Sequence, residues 1–326
     1  MTEFYQAAGN QNPCARIQLT GGGAMRIQCA MTATISALLA IPVISAPIPT
    51  QMVITARPTP TDDRSISLEP GDLTVLRANT PERILRLERL TGDLADMQLF
   101  VLLDDSTRSA SLSLQIPELK SFLESLPATT QVAIGYMRNG SFGLAQAFTA
   151  DHPKAASALR MPMSIPGENG SPYFALSDLA KHWPSKQSTS RRAVLMLTDG
   201  VDPYYTASTM DDPYVNTAMQ DTLKEGVMVY SIYLRGAGQY GRSGWVTNVA
   251  QSHLIQVSEA TGGTAYFQGL TDPVTISSFL KDLRDRLDNQ YRVTIEALKE
   301  KGVQPVKLRA ELKALKIEGP TRIYVR

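Results

Sequence analysis

The chain has 326 residues, of which 43% are hydrophobic and 19% are charged, and its formal net charge is +1. This composition is typical of a globular protein and argues against a disordered one. The near-neutral charge and the absence of a long basic run also argue against a nucleic-acid-binding surface, so no nucleic-acid partner is expected.

Residues 1–46 contain the pattern of a secretory signal. Arg26 precedes an apolar stretch over residues 31–44, and the small residues Ser45 and Ala46 follow it. The polar, Gly-rich residues before Met25 indicate a mis-called N-terminal extension. A buried core helix is the alternative. The apolar stretch is too short for a membrane span, so none is expected in the mature chain.

Cysteine usage agrees with export. The chain has two cysteines, Cys14 and Cys29, and both precede the proposed cleavage site. A mature chain without cysteine suits an oxidising compartment. We therefore expect an exported protein, either periplasmic or extracellular.

The remainder of the chain divides by its sequence pattern. Residues 47–64 are rich in Pro and Thr, which predicts an extended linker. Residues 65–95 predict a short β segment with two strands. Residues 96–288 alternate continuous apolar strands with helices. Residues 289–326 show period-two alternation, which predicts a C-terminal β module that pairs with the strands before Leu90.

The alternation within residues 96–288 predicts the fold class. Continuous apolar strands between helices indicate a doubly wound, mostly parallel sheet that is covered on both faces. Asn139-Gly140 predicts a hairpin, which makes Phe142–Phe148 an antiparallel edge strand. One helix is predicted over Pro117–Leu126, with Pro117 in its first turn. The class is therefore α/β, with small β additions at both ends.

Acidic and hydroxyl side chains follow the predicted strands of this sheet. Asp104 and Asp105 end the strand that begins at Gln98, Asp199 follows RRAVLMLT, and Ser171 begins a helix. Ligands of open α/β sheets bind beyond the carboxyl ends of the strands, near the reversal of strand order. An oxygen-only set of side chains there suits Mg²⁺, Mn²⁺ or Ca²⁺ better than zinc.

The chain from about Met97 to Leu287 resembles a von Willebrand factor type A (VWA) domain. That family has a metal-ion-dependent adhesion site, built from an Asp-x-Ser-x-Ser motif, a Thr in a second loop and an Asp in a third. The resemblance implies Mg²⁺ or Mn²⁺ bound by Asp104, Ser106, Ser171 and Asp199. It also implies a non-enzymatic protein that binds a protein ligand, often through a ligand carboxylate.

The resemblance extends to a narrower group. The segments ISLEPGDLTVL, SIPGENGSPYFALSDL, RRAVLMLTDGVDP and EATGGTAYF are similar to secreted bacterial proteins of the acidobacterial VWFA-related type. This implies an exported protein that mediates protein–protein interaction or adhesion.

Arg108 departs from the family pattern, because it stands at the second Ser of the motif. A guanidinium cannot ligate a cation. Ser109 or Asp105 is a substitute ligand in one alternative. In another, Arg108 neutralises the two aspartates without a metal. In a third, the acids only cap helices and accept hydrogen bonds from backbone amides.

Two other functions remain as alternatives. A metal-free domain would serve as a structural scaffold in an envelope assembly. A metal-dependent phosphohydrolase or receiver-like protein is disfavoured, because Ser106 stands where such a phosphatase needs a second acid.

A glycine pattern does not indicate a cofactor. Gly236, Gly238 and Gly241 spell G-x-G-x-x-G, but they follow a late strand and not the first strand of a dinucleotide-binding unit. No cofactor besides the divalent cation is expected, and the segment is predicted to be a surface loop near the acidic site.

Overall fold

The computed structural model describes residues 49–59, 68–106, 109–163, 170–187, 190–205, 211–236, 243–296 and 300–326. The predicted signal and Arg108 lie outside the described residues. The strands are β1 (Thr50–Pro58), β2 (Leu73–Arg77), β3 (Thr80–Glu82), β4 (Ile84–Arg89), β5 (Met97–Asp104), β6 (Thr130–Arg138), β7 (Ser141–Thr149), β8 (Arg191–Thr198), β9 (Val227–Tyr233), β10 (Ala265–Tyr266), β11 (Gln290–Ile295), β12 (Gly302–Pro305), β13 (Lys307–Ala310), β14 (Leu315–Glu318) and β15 (Arg322–Val325). The α-helices are α1 (Ser109–Glu124), α2 (His152–Ser157), α3 (Pro172–Lys181), α4 (Pro213–Lys224), α5 (Gly244–Thr261) and α6 (Ser277–Asp288).

A six-stranded sheet with the order β10-β9-β8-β5-β6-β7 forms the centre of the fold. Neighbouring strands in it are parallel, except that β7 pairs with β6 in the antiparallel direction. The strand order reverses between β5 and β8, because the chain proceeds from β5 to one edge and then from β8 to the other. This is the predicted doubly wound α/β class with its antiparallel edge strand.

Both faces of this sheet are covered by helices, as its apolar strands require. Every residue of β5 and β9 is buried. One face packs against α1, α2 and α6, and the other packs against α3, α4 and α5. Gly135 on β6 leaves room for the ring of Phe100, because a Cβ at Gly135 would lie 2.5 Å from Cζ of that ring. The close packing fixes where the strand ends lie.

The two ends of the chain form shared β-sheets. A four-stranded sheet has the order β14-β1-β11-β4, and a three-stranded sheet has the order β13-β2-β3. The predicted pairing of the C-terminal module with the strands before Leu90 is therefore present, in the β11–β4 and β13–β2 pairs. These strands enclose an apolar core of their own, which includes Ile54, Val75 and Val293.

Arg57 holds this β-sheet region against the six-stranded sheet and its helices. Its guanidinium donates to Asp282 at 2.7 Å and to Asp285 at 2.9 Å on α6, and to Glu318 at 3.0 Å on β14. The placement matters for function, because β1 and β11 line a large groove together with the amino ends of β8 and β9.

Three predictions on local structure were wrong. Half of the predicted linker, residues 47–64, is strand β1, because Met52, Ile54 and Ala56 alternate toward the apolar core. The predicted β segment, residues 65–95, has three strands instead of two. Helix α1 begins at Ser109, so Pro117 lies inside it and not in its first turn.

Among the described residues, the helices lack the length and apolar character that a membrane crossing requires.

Candidate functional site

Asp104 joins the carboxyl ends of the two central strands. It is the last residue of β5 and is 6% exposed. Its Oδ1 accepts hydrogen bonds from the backbone N–H of Ser106 at 2.9 Å and from the Ser106 hydroxyl at 2.7 Å. Its Oδ2 accepts a hydrogen bond at 2.9 Å from the hydroxyl of Thr198, the last residue of β8. The carboxylate therefore lies at the point where the strand order reverses.

Asp199 follows β8 and lies beside Asp104. Desolvation raises the pKa of Asp199 to about 7, and the negative charge of Asp104 adds to this increase. The backbone N–H of Val201 donates to Asp199 Oδ1 at 3.0 Å, which opposes the shift. No Lys, Arg or His of the described residues forms an ion pair with Asp199. Two neighbouring carboxylates thus share this end of the sheet.

Gly236 packs against the Asp199 carboxylate from the loop after β9. A Cβ at position 236 would lie 2.3 Å from Asp199 Oδ2 and 3.3 Å from its Cβ. Only a glycine leaves room for the Asp199 side chain in this position. The Oδ2 atom accepts no hydrogen bond from the described residues, so it is available to a ligand.

Ser171 contacts a different acid. It is the N-cap of α3, where its hydroxyl oxygen accepts from the backbone N–H of Tyr173 at 3.2 Å. The same hydroxyl donates to Asp202 Oδ2 at 2.8 Å. Desolvation raises the pKa of Asp202, and the charge of Asp212 contributes to the increase.

Asp212 is a further acid that the sequence analysis did not assign to the site. It is 1% exposed and caps α4, where its Oδ1 accepts from the backbone N–H groups of Tyr214 and Val215. Its Oδ2 is buried and has no hydrogen-bond partner among the described residues.

The phenol of Tyr173 shows that these acids share one neighbourhood. Burial raises its pKa well above the ordinary value, and the charges of Asp212, Asp199 and Asp202 contribute to the increase. Its hydroxyl donates to the carbonyl of Gly200 at 2.9 Å. The name acidic rim is used below for the side chains of Asp104, Ser106, Ser171, Asp199, Asp202 and Asp212.

Asp105 takes no part in the acidic rim. Arg160 donates to both of its oxygens, at 2.7 and 3.3 Å, and the backbone N–H of Met163 donates to Oδ1 at 3.0 Å. The guanidinium of Arg160 also lies 3.8 Å from the centre of the Tyr136 ring. Because both oxygens are engaged, the structure disfavours Asp105 as a substitute metal ligand.

The structure brings together three of the four predicted ligands, Asp104, Ser106 and Asp199. The hydroxyl of the fourth, Ser171, is directed to Asp202. Arg108 lies outside the described residues, and so does the side chain of Ser109. Asp202 and Asp212 were not assigned to the site, although Asp202 follows Asp199 closely in LTDGVDP.

The donor set of the rim fits a hard cation by its chemistry, because it offers carboxylate and hydroxyl oxygens only. It has two carboxylates at the strand ends. In the described part of the chain, no group of three or more His, Cys, Asp or Glu side chains is arranged to hold a metal ion. Hydroxyl ligands such as Ser106 would have to complete the coordination.

No family model and no curated protein matches the sequence. Solved structures with a similar architecture include an aerotolerance-related membrane protein from Bacteroides fragilis, with 12% identity and a TM-score of 0.42 over 59% of this chain and 98% of that one. BatB from Bacteroides thetaiotaomicron has 12% identity and a TM-score of 0.41 over 59% and 97% of the two chains. The VWA domain of SpRpn10 has 13% identity and a TM-score of 0.34 over 55% and 96%. Similarity this low assigns neither a family nor a function.

Proposed function

We propose that the protein is an exported interaction module of the VWA type, which binds a protein ligand at the acidic rim through a Mg²⁺ or Mn²⁺ ion. The observation that carries this proposal is the pair of neighbouring carboxylates, Asp104 and Asp199, at the reversal of strand order. Ligand sites of doubly wound sheets lie at this point. We infer binding and not catalysis.

Electrostatics support a cation between the two acids. Asp199 is poorly solvated and lies near a second negative charge, so ionising both acids is unfavourable without a positive partner. A divalent cation would relieve the repulsion. Asp104, Ser106 and Asp199 would hold the ion, and its open position would accept a carboxylate of the partner protein. Ser171 as a fourth ligand stays a prediction.

Exposed aromatic side chains near the rim suit a protein ligand. Tyr204, whose backbone N–H donates to Asp202, is 61% exposed. Trp245, in the first turn of α5, is 57% exposed. Large amphipathic side chains of this kind are enriched in protein–protein interfaces. Their position supports a partner that covers the rim and its surroundings.

Export is supported by sequence alone. Residues 25–46 have the order of a secretory signal, and residues 47–326 contain no cysteine. The similarity of the quoted segments to secreted VWFA-related proteins agrees with a periplasmic or extracellular location.

A pull-down from an envelope fraction tests the binding function. Asp199→Asn preserves the shape of the side chain and removes its charge, while Asp93→Asn on an exposed turn is the matched control. We expect the wild type and the control to capture the same partner with Mn²⁺ present and to release it with EDTA. Capture that is unaffected by EDTA and by Asp199→Asn would refute the cation-dependent interaction.

The metal-free scaffold remains the second candidate. It is favoured by the local hydrogen bonds of the acids, since Asp104, Asp199 and Asp202 each accept from a backbone N–H two residues later. Such bonds need no ligand. A scaffold predicts partner capture that continues in EDTA, so the same experiment separates the two functions.

A further inference from the structure

A large groove lies at the opposite end of the six-stranded sheet from the acidic rim. Its volume is about 1090 Å³, and it is lined by the amino ends of β8 and β9, the end of α4 and the strands β1, β11 and β15. Besides the last residue of the chain, the cationic side chains that line it are those of Arg86, Arg191, Arg192, Lys224, Arg292 and Arg322. The described lining contains one acid, Glu225. The name basic groove is used for this surface.

Apart from Arg86, the named cations of the basic groove have no acidic partner among the described residues. Arg86 lies 3.5 Å from Glu88, and the other five form no ion pair with a described residue. Arg57, by contrast, is paired with three acids. Unpaired cations gathered from separate parts of the chain create a positive potential that favours an anionic ligand.

Arg191 places a buried positive charge at the floor of the groove. It is 8% exposed, and its guanidinium donates only to uncharged acceptors: the carbonyls of Leu287 and Ala95 and the side-chain oxygen of Gln290. Its Nε is buried, and no described residue forms a hydrogen bond with it. Desolvation lowers the pKa of Arg191 to about 10, although the charges of Asp288 and Asp96 oppose this shift, so burial of the charge is costly and an anion bound in the groove would offset this cost.

Apolar side chains share the lining of the groove with the cations. Met52, Val53, Leu85, Leu223 and Ile323 contribute to the lining. Tyr324 is the one aromatic residue in the described lining, so stacked nucleic-acid bases would find little support. The volume also exceeds what one small anion needs.

We propose that the basic groove binds an acidic segment of a partner protein, in which carboxylates alternate with apolar side chains. Guanidinium groups pair with carboxylates in a bidentate geometry, and the apolar lining covers the intervening side chains. The groove is roughly 25 Å from the acidic rim along β8, at the rise expected of a parallel strand. It is a second interaction surface and does not depend on the cation proposed for the rim.

Fluorescence anisotropy with labelled peptides tests this proposal. The probe is a twelve-residue peptide in which Glu and Asp alternate with Leu and Val, measured in EDTA so that the acidic rim makes no cation-dependent contribution. The comparison probes are the same peptide with Lys for each acid, the same peptide with Ser for each apolar residue, tripolyphosphate and a dT oligonucleotide.

The variant Lys224→Glu/Arg322→Glu removes two exposed, unpaired cations of the groove, and Lys154→Glu/Lys313→Glu is the matched control on exposed cations elsewhere. We expect the groove variant to weaken binding of the acidic apolar peptide at least about tenfold, with no change in the control. The melting temperatures of both variants establish that they fold. Binding should also weaken between about 50 mM and about 500 mM NaCl.

Three results would overturn the proposal. Equal binding of the Lys peptide would exclude charge recognition. Equal or tighter binding of the Ser peptide, tripolyphosphate or dT would make the groove a general polyanion site. An unchanged affinity of Lys224→Glu/Arg322→Glu would place the peptide elsewhere on the molecule.

Discussion

At its carboxyl end, β8 leads into Asp199 beside Asp104, and at its amino end it begins with Arg191 and Arg192. The acidic rim and the basic groove thus lie at opposite ends of the same parallel strands. Parallel strands bring their carboxyl ends to one edge of the sheet, so the acids that follow β5 and β8 in this sequence lie together there. The net charge of +1 conceals this separation, because it sums the 32 Lys and Arg and the 31 Asp and Glu residues of the whole chain.

The two surfaces also differ in how the chain accommodates them. The acids of the rim are held by local bonds from backbone amides, hydroxyl groups and helix N-termini. The cations of the basic groove, apart from Arg191, are held by few hydrogen bonds to other groups of the chain. The rim is therefore sensitive to small changes in its packing, whereas the exposed part of the groove should tolerate substitution without loss of folding.

Among the substitutions considered, Gly236→Ala is expected to have the largest effect on the stability of the folded protein. The new Cβ would displace the Asp199 carboxylate, because the two would lie 2.3 Å apart in the present arrangement. We expect a loss of about 2 kcal/mol in the free energy of unfolding, typical of overpacking, measured by urea denaturation. Gly71→Ala is the control, since a Cβ there meets nothing within 4 Å. Equal stability of the two variants would show that Gly236 is not needed to position Asp199.

Asp199→Asn should stabilise the protein above neutral pH. The pKa of Asp199 is raised from about 3.9 in the unfolded chain to about 7, so the folded state binds more protons in this interval and stability falls as pH rises through it. We expect a gain on the order of 1–2 kcal/mol at pH about 8 and little change at pH about 4.

Urea denaturation at the two pH values measures this difference, with Asp93→Asn as the control on an exposed acid. A loss of stability in Asp199→Asn at high pH would mean that the carboxylate is well compensated in the folded protein. The rim would then not be a site of unfavourable negative charge.

Ser171→Ala separates a capping role from a ligand role. The substitution removes the hydrogen bond to the Tyr173 N–H and the donor to Asp202. We expect a loss of about 1 kcal/mol from the missing N-cap, measured without added metal. Ser171→Asp keeps an N-cap acceptor and adds a charge beside Asp202, so it should restore less stability than Ser171→Thr. Unchanged stability of Ser171→Ala would contradict the capping role.

Substitutions of exposed cations in the basic groove are expected to change the stability of the protein least. Lys224→Ala and Arg322→Ala remove exposed cations that form no ion pair with a described residue, so each should change the free energy of unfolding by less than about 0.5 kcal/mol. Arg57→Ala, which removes the ion pairs from Arg57 to Asp282, Asp285 and Glu318, is the contrasting variant and should lower the melting temperature clearly. Large losses in both groove variants would mean that these cations serve folding and not recognition.

The α/β fold class could be predicted from the sequence because the apolar runs that form the central strands are unbroken. Runs such as QLFVLL and AVLML are buried on both faces, and their order along the chain leaves few alternatives to a doubly wound sheet. Strand β1 could not be recognised in this way. Its Pro and Thr content masked the alternation of Met52, Ile54 and Ala56, and its partner β11 lies more than two hundred residues away.

The acidic rim was partly predictable, and the basic groove was not. Asp104 and Asp199 directly follow apolar strands, so a local pattern places them at one edge of the sheet. The bond of Ser171 to Asp202 depends on how the loops meet, which no local pattern contains. The groove cations come from positions between 86 and 322, and only the packing of β1 and β11 against the sheet brings them together.

Isothermal titration of the protein with Mn²⁺ and Mg²⁺ most directly tests the claim that the paired acids form a cation site. At pH about 7.5 the account predicts one saturable site in the wild type, which is lost in Asp104→Asn and in Asp199→Asn and kept in Asp93→Asn. No binding heat at millimolar cation, or the same site in all three variants, would contradict it.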